Sequence, residues 1–372
     1  MVRVCCVSLF ILSIPFTLIA CVGCDVLGIL QGEPIQSDTR RLILASWNLQ
    51  AFFDGEDAGN EYQDYREDKG WTAEKAHRRE KNLAEALSLI SENGPDLLAI
   101  QEIESSAYLK MLAEGPLARC KYGYTAFSSE KGASLGLGFL SRVPITEIRA
   151  HSASDSSQSV PRPILEVHLN PGGSPLVVFI CHWKSKLGGD GETEGQRQSA
   201  ARILLRRLRE LEASGGVDAL IMGDLNENVD EFYRRGGEAA TALIPDEAKA
   251  ALSMKRASYR VENSSLVLSK EKPPLSRSFP GAYPLYSPWY ASSWSGTYVY
   301  KGDWESIDHA LIPASLFDGR GWEYLSFRVV DSSPFVGEDG FPRTFSPRTG
   351  MGLSDHLPIV VELQRVTAAT SH

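Results

Sequence analysis

The sequence predicts an α/β domain. Three observations lead there. Short apolar runs rich in Val, Ile and Leu recur along the chain, two longer stretches show the apolar spacing of amphipathic helices, and Gly or Pro separates segments of the two kinds. With 372 residues, 43% hydrophobic and 23% charged, the chain has the apolar content for a large core and is not a disordered sequence. A formal net charge of −9 does not advertise a nucleic-acid binder, although a local basic rim or bound cations reverse the sign where it matters. No repeat of solenoid period is visible.

The first element is not part of that domain. Met1-Val2-Arg3 precedes an apolar run over residues 4–20, the pattern of an export signal. The run ends Leu18-Ile19-Ala20-Cys21, which resembles a bacterial lipobox with Cys21 as the lipidated residue; Val22-Gly23-Cys24 is a poorer second cut. An uncleaved membrane-anchoring helix is the alternative. Either way the remainder is expected outside the cytoplasm, and the lipobox places it on a membrane of the bacterial cell envelope. Residues 1–20 are thus expected to be signal and 21–40 a tether.

Residues 41–47 read as a strand ending at Asn48. A helix is predicted over about 72–93, with Ala76, Leu83, Leu87 and Ile90 on one face and Gly94-Pro95 as its stop. Residues 96–100 form the next strand and deliver Gln101-Glu102. Strand-like runs follow at 136–141, 164–169 and 175–181, the last ending at His182. A second helix over about 194–213 turns Ala200, Ile203, Leu204, Leu208 and Leu211 inward and stops at Gly215-Gly216. Strand 217–222 then leads to Gly223-Asp224-Leu225-Asn226, and further helical patterning covers 229–254. From 255 to 294 the composition shifts to Ser, Pro, Tyr and Trp with little periodicity, the mark of a long surface insertion. Strands resume at 297–300 and at 306–312, which carries Asp308; the run after Asp355-His356 reads as a buried strand, and 365–372 as a tail. Of six cysteines, only Cys120 and Cys181 lie deep in the folded part, where a bridge and two free thiols are both compatible with the spacing.

The polar residues of interest share a position. Asn48, Glu102, His182, Asp224, Asn226 and Asp355-His356 each fall where an apolar strand meets a loop, and Asp308 lies within another strand. Strands of common polarity would bring those ends to one edge, where α/β sheets place their sites. Ser46-Trp47-Asn48, Ile100-Gln101-Glu102, Cys181-His182-Trp183-Lys184-Ser185-Lys186, Gly223-Asp224-Leu225-Asn226, Ser306-Ile307-Asp308-His309 and Ser354-Asp355-His356-Leu357-Pro358 resemble, in order, the motifs of the endonuclease/exonuclease/phosphatase superfamily. The likeness spans about residues 41–364. It implies a DNase-like four-layer α/β sandwich, two packed mixed β-sheets flanked by helices, and a metal-dependent phosphodiesterase.

Phosphodiester hydrolysis needs a hard cation, an activated water and donors aimed at phosphoryl oxygens. Glu102 is the natural ligand for Mg²⁺, or Mn²⁺ or Ca²⁺ in its place, because magnesium takes few carboxylates and keeps several waters. Asn48 is expected to help position the ion, and the resemblance makes Asp355 the second carboxylate. Asp224 would orient and deprotonate the attacking water, with Asn226 donating to phosphate or fixing that geometry. His356 would donate to a non-bridging oxygen while Asp308 accepts its other ring N–H. His182 is expected as a second phosphate donor or leaving-group acid. Many members carry an acidic residue two after the first Asn; here it is Gln50, so one metal ion is expected.

For substrate, Lys184 and Lys186, alternate residues, and Arg142 are candidate phosphate contacts. Tyr298 and Tyr300 share one strand face, suited to stacking on a base or to core packing, and the aromatic stretch 283–294 suits a groove cap or a membrane contact. The leading expectation is an exported monomer that cleaves DNA endonucleolytically. Phospholipid, sphingomyelin or inositol-phosphate head groups are the rival substrates, and a non-catalytic surface binding lipoprotein is the rival of another class.

Overall fold

Two mixed β-sheets lie face to face with helices outside them, as a computed structural model describing residues 24–26, 40–152, 162–248, 265–274 and 283–366 shows. The expected signal, Cys21 and most of the tether lie outside the described residues, as do parts of the 255–294 stretch and most of the tail. In chain order the strands are β1 (Cys24–Val26), β2 (Arg41–Phe52), β3 (Leu97–Ile103), β4 (Tyr124–Glu130), β5 (Gly136–Ser141), β6 (Ile145–His151), β7 (Ile164–Leu169), β8 (Leu176–His182) and β9 (Asp218–Asp224). They continue with β10 (Leu243–Pro245), β11 (Leu266–Ser269), β12 (Pro284–Tyr286), β13 (Tyr298–Tyr300), β14 (Asp303–Glu305), β15 (Asp308–Leu311), β16 (Gly321–Val329) and β17 (Ile359–Val366). The α-helices are α1 (Ala73–Ile90), α2 (Ser106–Glu114), α3 (Asp190–Ala213) and the single turn α4 (Glu231–Arg234).

One sheet runs β1-β4-β5-β3-β2-β17-β16 and the other β15-β9-β8-β7-β6. Each contains one parallel pair, β2 with β3 and β8 with β9, because α1 and α3 serve as the crossovers that parallel pairing demands. The alternation along β8 shows why the layers form. Leu176, Val178 and Ile180 enter the core between the sheets, while Val177, Phe179 and Cys181 pack outward with Ala200, Ile203 and Leu204 of α3. Thr72 starts α1 by accepting the Lys75 N–H at 3.3 Å, and Ser105 does the same for α2 with Tyr108 at 3.0 Å.

The parallel pairs bring the C-terminal ends of β2, β3, β8 and β9 to one edge of the sandwich. The other two site-bearing strands run the opposite way, so common polarity does not hold. Asp308 opens β15 opposite Asp224, and β17 pairs antiparallel with β2, Ile359 opposite Ser46, so His356 enters the same edge from the N-terminal side of its strand.

Two expectations are corrected. The described part of 229–254 is helical over α4 and again at 246–248, with strand β10 between them. Glu194 accepts the Ala242 N–H (2.8 Å) and Glu227 the Leu243 N–H (2.9 Å), and these buried carboxylates draw the chain into an extended path. The described parts of 255–294 are not a surface insertion: β11 and β12 form a parallel ladder with β10, and Leu266, Leu268 and Leu285 are buried in the core against α3. Cys120 and Cys181 are free buried thiols in two separate cores. Among the described residues, no helix is long and apolar enough to cross a membrane.

A buried charge cluster ties α3 to the second sheet. Glu166 on β7 is inaccessible and accepts from His151 Nε2 (2.6 Å), His168 Nε2, and Arg207 Nε and Nη2 (2.7 and 2.9 Å). Burial raises its pKa, but these donors outweigh burial and hold the carboxyl well below its ordinary range. Glu166→Leu is expected to cost about 3–5 kcal/mol in urea unfolding at neutral pH. A lowered folded pKa means the contribution is present above the ordinary carboxylate pKa and lost as pH falls through the folded value, so the difference between the two proteins should shrink in acid.

Candidate active site

β2 and β3 keep parallel register as far as Asn48 and Gln101, and there the ladder breaks. Gln50 (φ 56°), Ala51 (φ 52°) and Glu102 (φ 65°) all adopt left-handed backbone, which costs a non-glycine residue on the order of 1–3 kcal/mol. The irregularity turns Glu102 back toward β2. Its Oε2 accepts the Ala51 N–H at 2.7 Å, and its Oε1 lies 3.4 Å from Asn48 Nδ2. The same Asn48 nitrogen donates to Asp224 Oδ2 at 3.1 Å, so one amide spans the two sheets.

Asp224, at the end of β9, is the hub. Oδ1 accepts the Asn226 N–H (2.9 Å), and around Oδ2 stand Asn48 Nδ2, His182 Nε2 (3.5 Å) and His356 Nε2 (4.0 Å). Burial, reinforced by Asp308 and opposed by His356, raises its pKa to about 7. Asp308 Oδ2 accepts from Thr297 Oγ1 (2.6 Å) and from His356 Nδ1 (2.8 Å). Burial alone would lower the His356 pKa, but Asp308, with Asp355 and Asp224 behind it, overrides burial and pushes it up to about 10. His356 is therefore an imidazolium at neutral pH. The Tyr298 ring covers it at 4.8 Å between centroids, a contact that favours a cation.

His182 is the opposite case. Burial, then the positive charges of Arg162 and His356, hold its pKa well below the ordinary value, so the ring is neutral. It stands 3.6 Å from Glu102 Oε1 and 3.5 Å from Asp224 Oδ2, yet a neutral ring makes no ion pair with either. Arg162 Nη1 donates to its Nε2 and to the Trp183 carbonyl (2.8 Å). The cation on this side of the site is thus Arg162, which the sequence reading missed. Its only signal was a lone arginine between two prolines, Pro161 and Pro163, just before a strand.

The remaining candidates divide. Asp355 is in the site: burial raises its pKa, Glu102 and Asp308 add to the rise and His356 opposes it. The Asn226 amide donates to the Trp183 carbonyl (3.0 Å) and its N–H to Asp224 Oδ1 (2.9 Å), so it braces the loop after β8 and takes the geometry-fixing one of its two expected roles. Lys184 reaches the groove beside the site, while Lys186 is engaged by Glu231 at 2.7 Å. Arg142 is removed from the set. It follows β5, whose Ser141 pairs with Leu97 at the start of β3, about 20 Å along the strand from Glu102. There it donates to Asp96 Oδ1 (2.9 Å) and to the Cys120 and Gly94 carbonyls (2.6 and 2.8 Å). The groove, about 350 Å³, is lined by Tyr62, Glu102, Arg162, His182, Lys184 and the β4–β5 turn.

Glu102 raises the cost of charge on Asp355, and the two carboxylates are a donor pair suited to a hard divalent cation that keeps several waters. Among the described residues, no group of three or more His, Cys, Asp and Glu forms a metal cage. Asn48 turns its NH₂ to the carboxylates and its oxygen accepts the Gln50 N–H (3.0 Å), so it positions Glu102 and Asp224 beside the cation site. Gln50 pairs its amide with the main chain of Phe345, at 3.1 and 2.8 Å, and contributes no charge.

A sequence model of the Endonuclease/Exonuclease/phosphatase family matches residues 45–356. Among solved structures, humanized D. rerio TDP2 carrying 14 mutations superposes with a TM-score of 0.53 at 14% identity, covering 88% of this chain and 100% of that one. Truncated Caenorhabditis elegans TDP2 gives 0.50 at 15% identity, over 87% and 98%. At these identities the likeness speaks for the fold. No curated protein sequence matches the chain.

Replacing Asp308 by Asn removes the charge that keeps His356 cationic. The His356 pKa, followed by NMR of the ring protons, is expected to fall by about 1–3 units. An unchanged titration would break the link between the two residues.

Proposed function

Because the chain belongs to the endonuclease/exonuclease/phosphatase family, we propose that it is a divalent-metal-dependent phosphodiesterase that cleaves nucleic acid, DNA above all, by direct attack of water on phosphorus. The observation that carries this reading is the opposition of a buried carboxylate near pKa 7 and a buried imidazolium, Asp224 Oδ2 and His356 Nε2, 4.0 Å apart. Asp224 is matched to accept a proton from water near neutral pH. His356, oriented by Asp308, donates to a non-bridging phosphoryl oxygen as charge develops there, and Arg162 supplies a second cationic donor. Asn48 and the Asn226 N–H hold the Asp224 carboxylate in place. A cation of the Mg²⁺ type, held by Glu102 and Asp355, would supply neutralisation of phosphoryl charge. Along the groove, Arg162 and Lys184 suit backbone phosphates, and Tyr62, 49% exposed, suits stacking on a base.

One observation favours a second substrate. β1 pairs Cys24, Asp25 and Val26 with Glu130, Ser129 and Ser128, and those three β4 residues line the groove. If Cys21 is lipidated, the groove sits about 10 Å of extended chain from the anchor, which suits phospholipid, sphingomyelin or inositol-phosphate head groups in the same envelope membrane. A purely binding role is disfavoured, because binding alone does not require a base and an acid poised at opposite charge.

Supercoiled plasmid is expected to be nicked in Mg²⁺ or Mn²⁺, not in EDTA, and His356→Ala should slow nicking by about 10²–10⁴-fold. Arg162→Ala should weaken DNA binding and reduce its salt slope by about 1. No nicking by folded protein, together with metal-dependent release of head groups from sphingomyelin or phosphoinositide vesicles, would transfer the site to the second substrate.

A further inference from the structure

We propose that Arg79 is a positioning residue for both carboxylates of the cation site, holding Glu102 through the strained turn of β2 and Asp355 through Phe345; this rests on the reading of that site above. Arg79 projects from α1 on the face that also carries Ala76, Leu83 and Leu87, where an apolar residue is expected, and is 2% exposed. A charge so placed normally faces a carboxylate. The partners of Arg79 are main-chain carbonyls instead: Nη1 donates to Ala51 (2.8 Å), and Nη2 to Leu49 (2.5 Å) and Gln50 (2.7 Å), while Nε has no partner.

Those three carbonyls belong to the turn that contains the left-handed Gln50 and Ala51, a conformation that persists only where its surroundings over-determine it. The Ala51 N–H in that turn is the donor to Glu102 Oε2 at 2.7 Å. The guanidinium carbon also stands over the Phe345 ring, 3.7 Å from its centroid. Phe345 is bonded through both main-chain groups to the Gln50 side chain, and it starts the segment that leads to Asp355. Ser354, one residue before Asp355, donates to the Asn48 carbonyl at 2.6 Å. One planar fork of donors thus joins the two stretches of chain that present Glu102 and Asp355. A lysine ammonium, a single point of charge, does not reach three carbonyls and stack on a ring at once.

The test uses full-length protein in detergent, with Mn²⁺ binding followed by calorimetry, melting temperature, and plasmid or head-group hydrolysis. Arg79→Met should lower Mn²⁺ affinity by about 10–100-fold, and Arg79→Lys should recover part of it. Arg142→Met, which removes a structural arginine remote from the site, should lower the melting temperature and leave Mn²⁺ affinity unchanged. Wild-type Mn²⁺ affinity in folded Arg79→Met overturns the proposal. Should Arg79→Met fail to fold, Arg79→Lys decides: reduced affinity supports the proposal and wild-type affinity overturns it. Wild-type protein that binds no Mn²⁺ overturns the cation-site reading and this proposal with it, whereas intact wild-type affinity that Arg79 variants do not alter overturns this proposal alone.

Discussion

A carboxylate taken out of water has to be met by donors, and Asp224 is where this constraint is tightest. It is 2% exposed, at the end of a strand apolar on both faces, and no single neighbouring segment can satisfy it. Its partners come from β2, from the end of β8, from the turn after β9 and from the entry to β17. Bringing them together requires the two parallel pairs to end at one edge and the two antiparallel strands to begin there. The sandwich is therefore more than a support for the site, because the site's own polar bonds cross between the sheets and help to align them.

The two histidines show how little local sequence decides about charge. Both are buried at the same edge and within 4.0 Å of the same carboxylate oxygen. His356 has Asp308 behind it and is cationic; His182 has Arg162 in front of it and is neutral. Burial disfavours charge on both rings; at His356 the Asp308 carboxylate overrides it, and at His182 the Arg162 guanidinium reinforces it. The result places one cationic ring, His356, near Asp224 Oδ2 and a second cation, Arg162, hydrogen-bonded to the neutral ring of His182.

Strain at the site is matched by support behind it. Gln50, Ala51, Glu102 and Asn226 all have left-handed backbone, and each is tied by bonds from outside its own segment. On the β8 side, Arg197 of α3 does the bracing. It is fully buried, donates to Glu227 and Glu194 (both 2.9 Å) and holds the Lys184 carbonyl (3.2 Å), which keeps the loop after His182 in place. Such networks contribute little net stability, since desolvation offsets most of the attraction, but removing one member leaves a charge stranded.

Local information was enough for much of the fold. Short apolar runs set β5 and β7 at their observed bounds and β8 and β9 within a residue or two, and the i, i+3, i+4 spacing located α1 and most of α3. It failed where the pattern was short or ambiguous: β10, β11 and β12 are three or four residues long, and their burial comes from α3 and from two buried glutamates distant in sequence. For the site, the sequence by itself determined which acids, amides and histidines stand at strand ends, because a polar residue that interrupts an apolar run is visible in one dimension. Only the tertiary structure decided that Arg142 sits at the far end of its sheet, that Arg162 and Arg79 serve the site, and which histidine carries charge. Those outcomes depend on which strand lies beside which and in what direction, on burial, and on which charged group is hydrogen-bonded to each ring, quantities that sequence spacing does not contain.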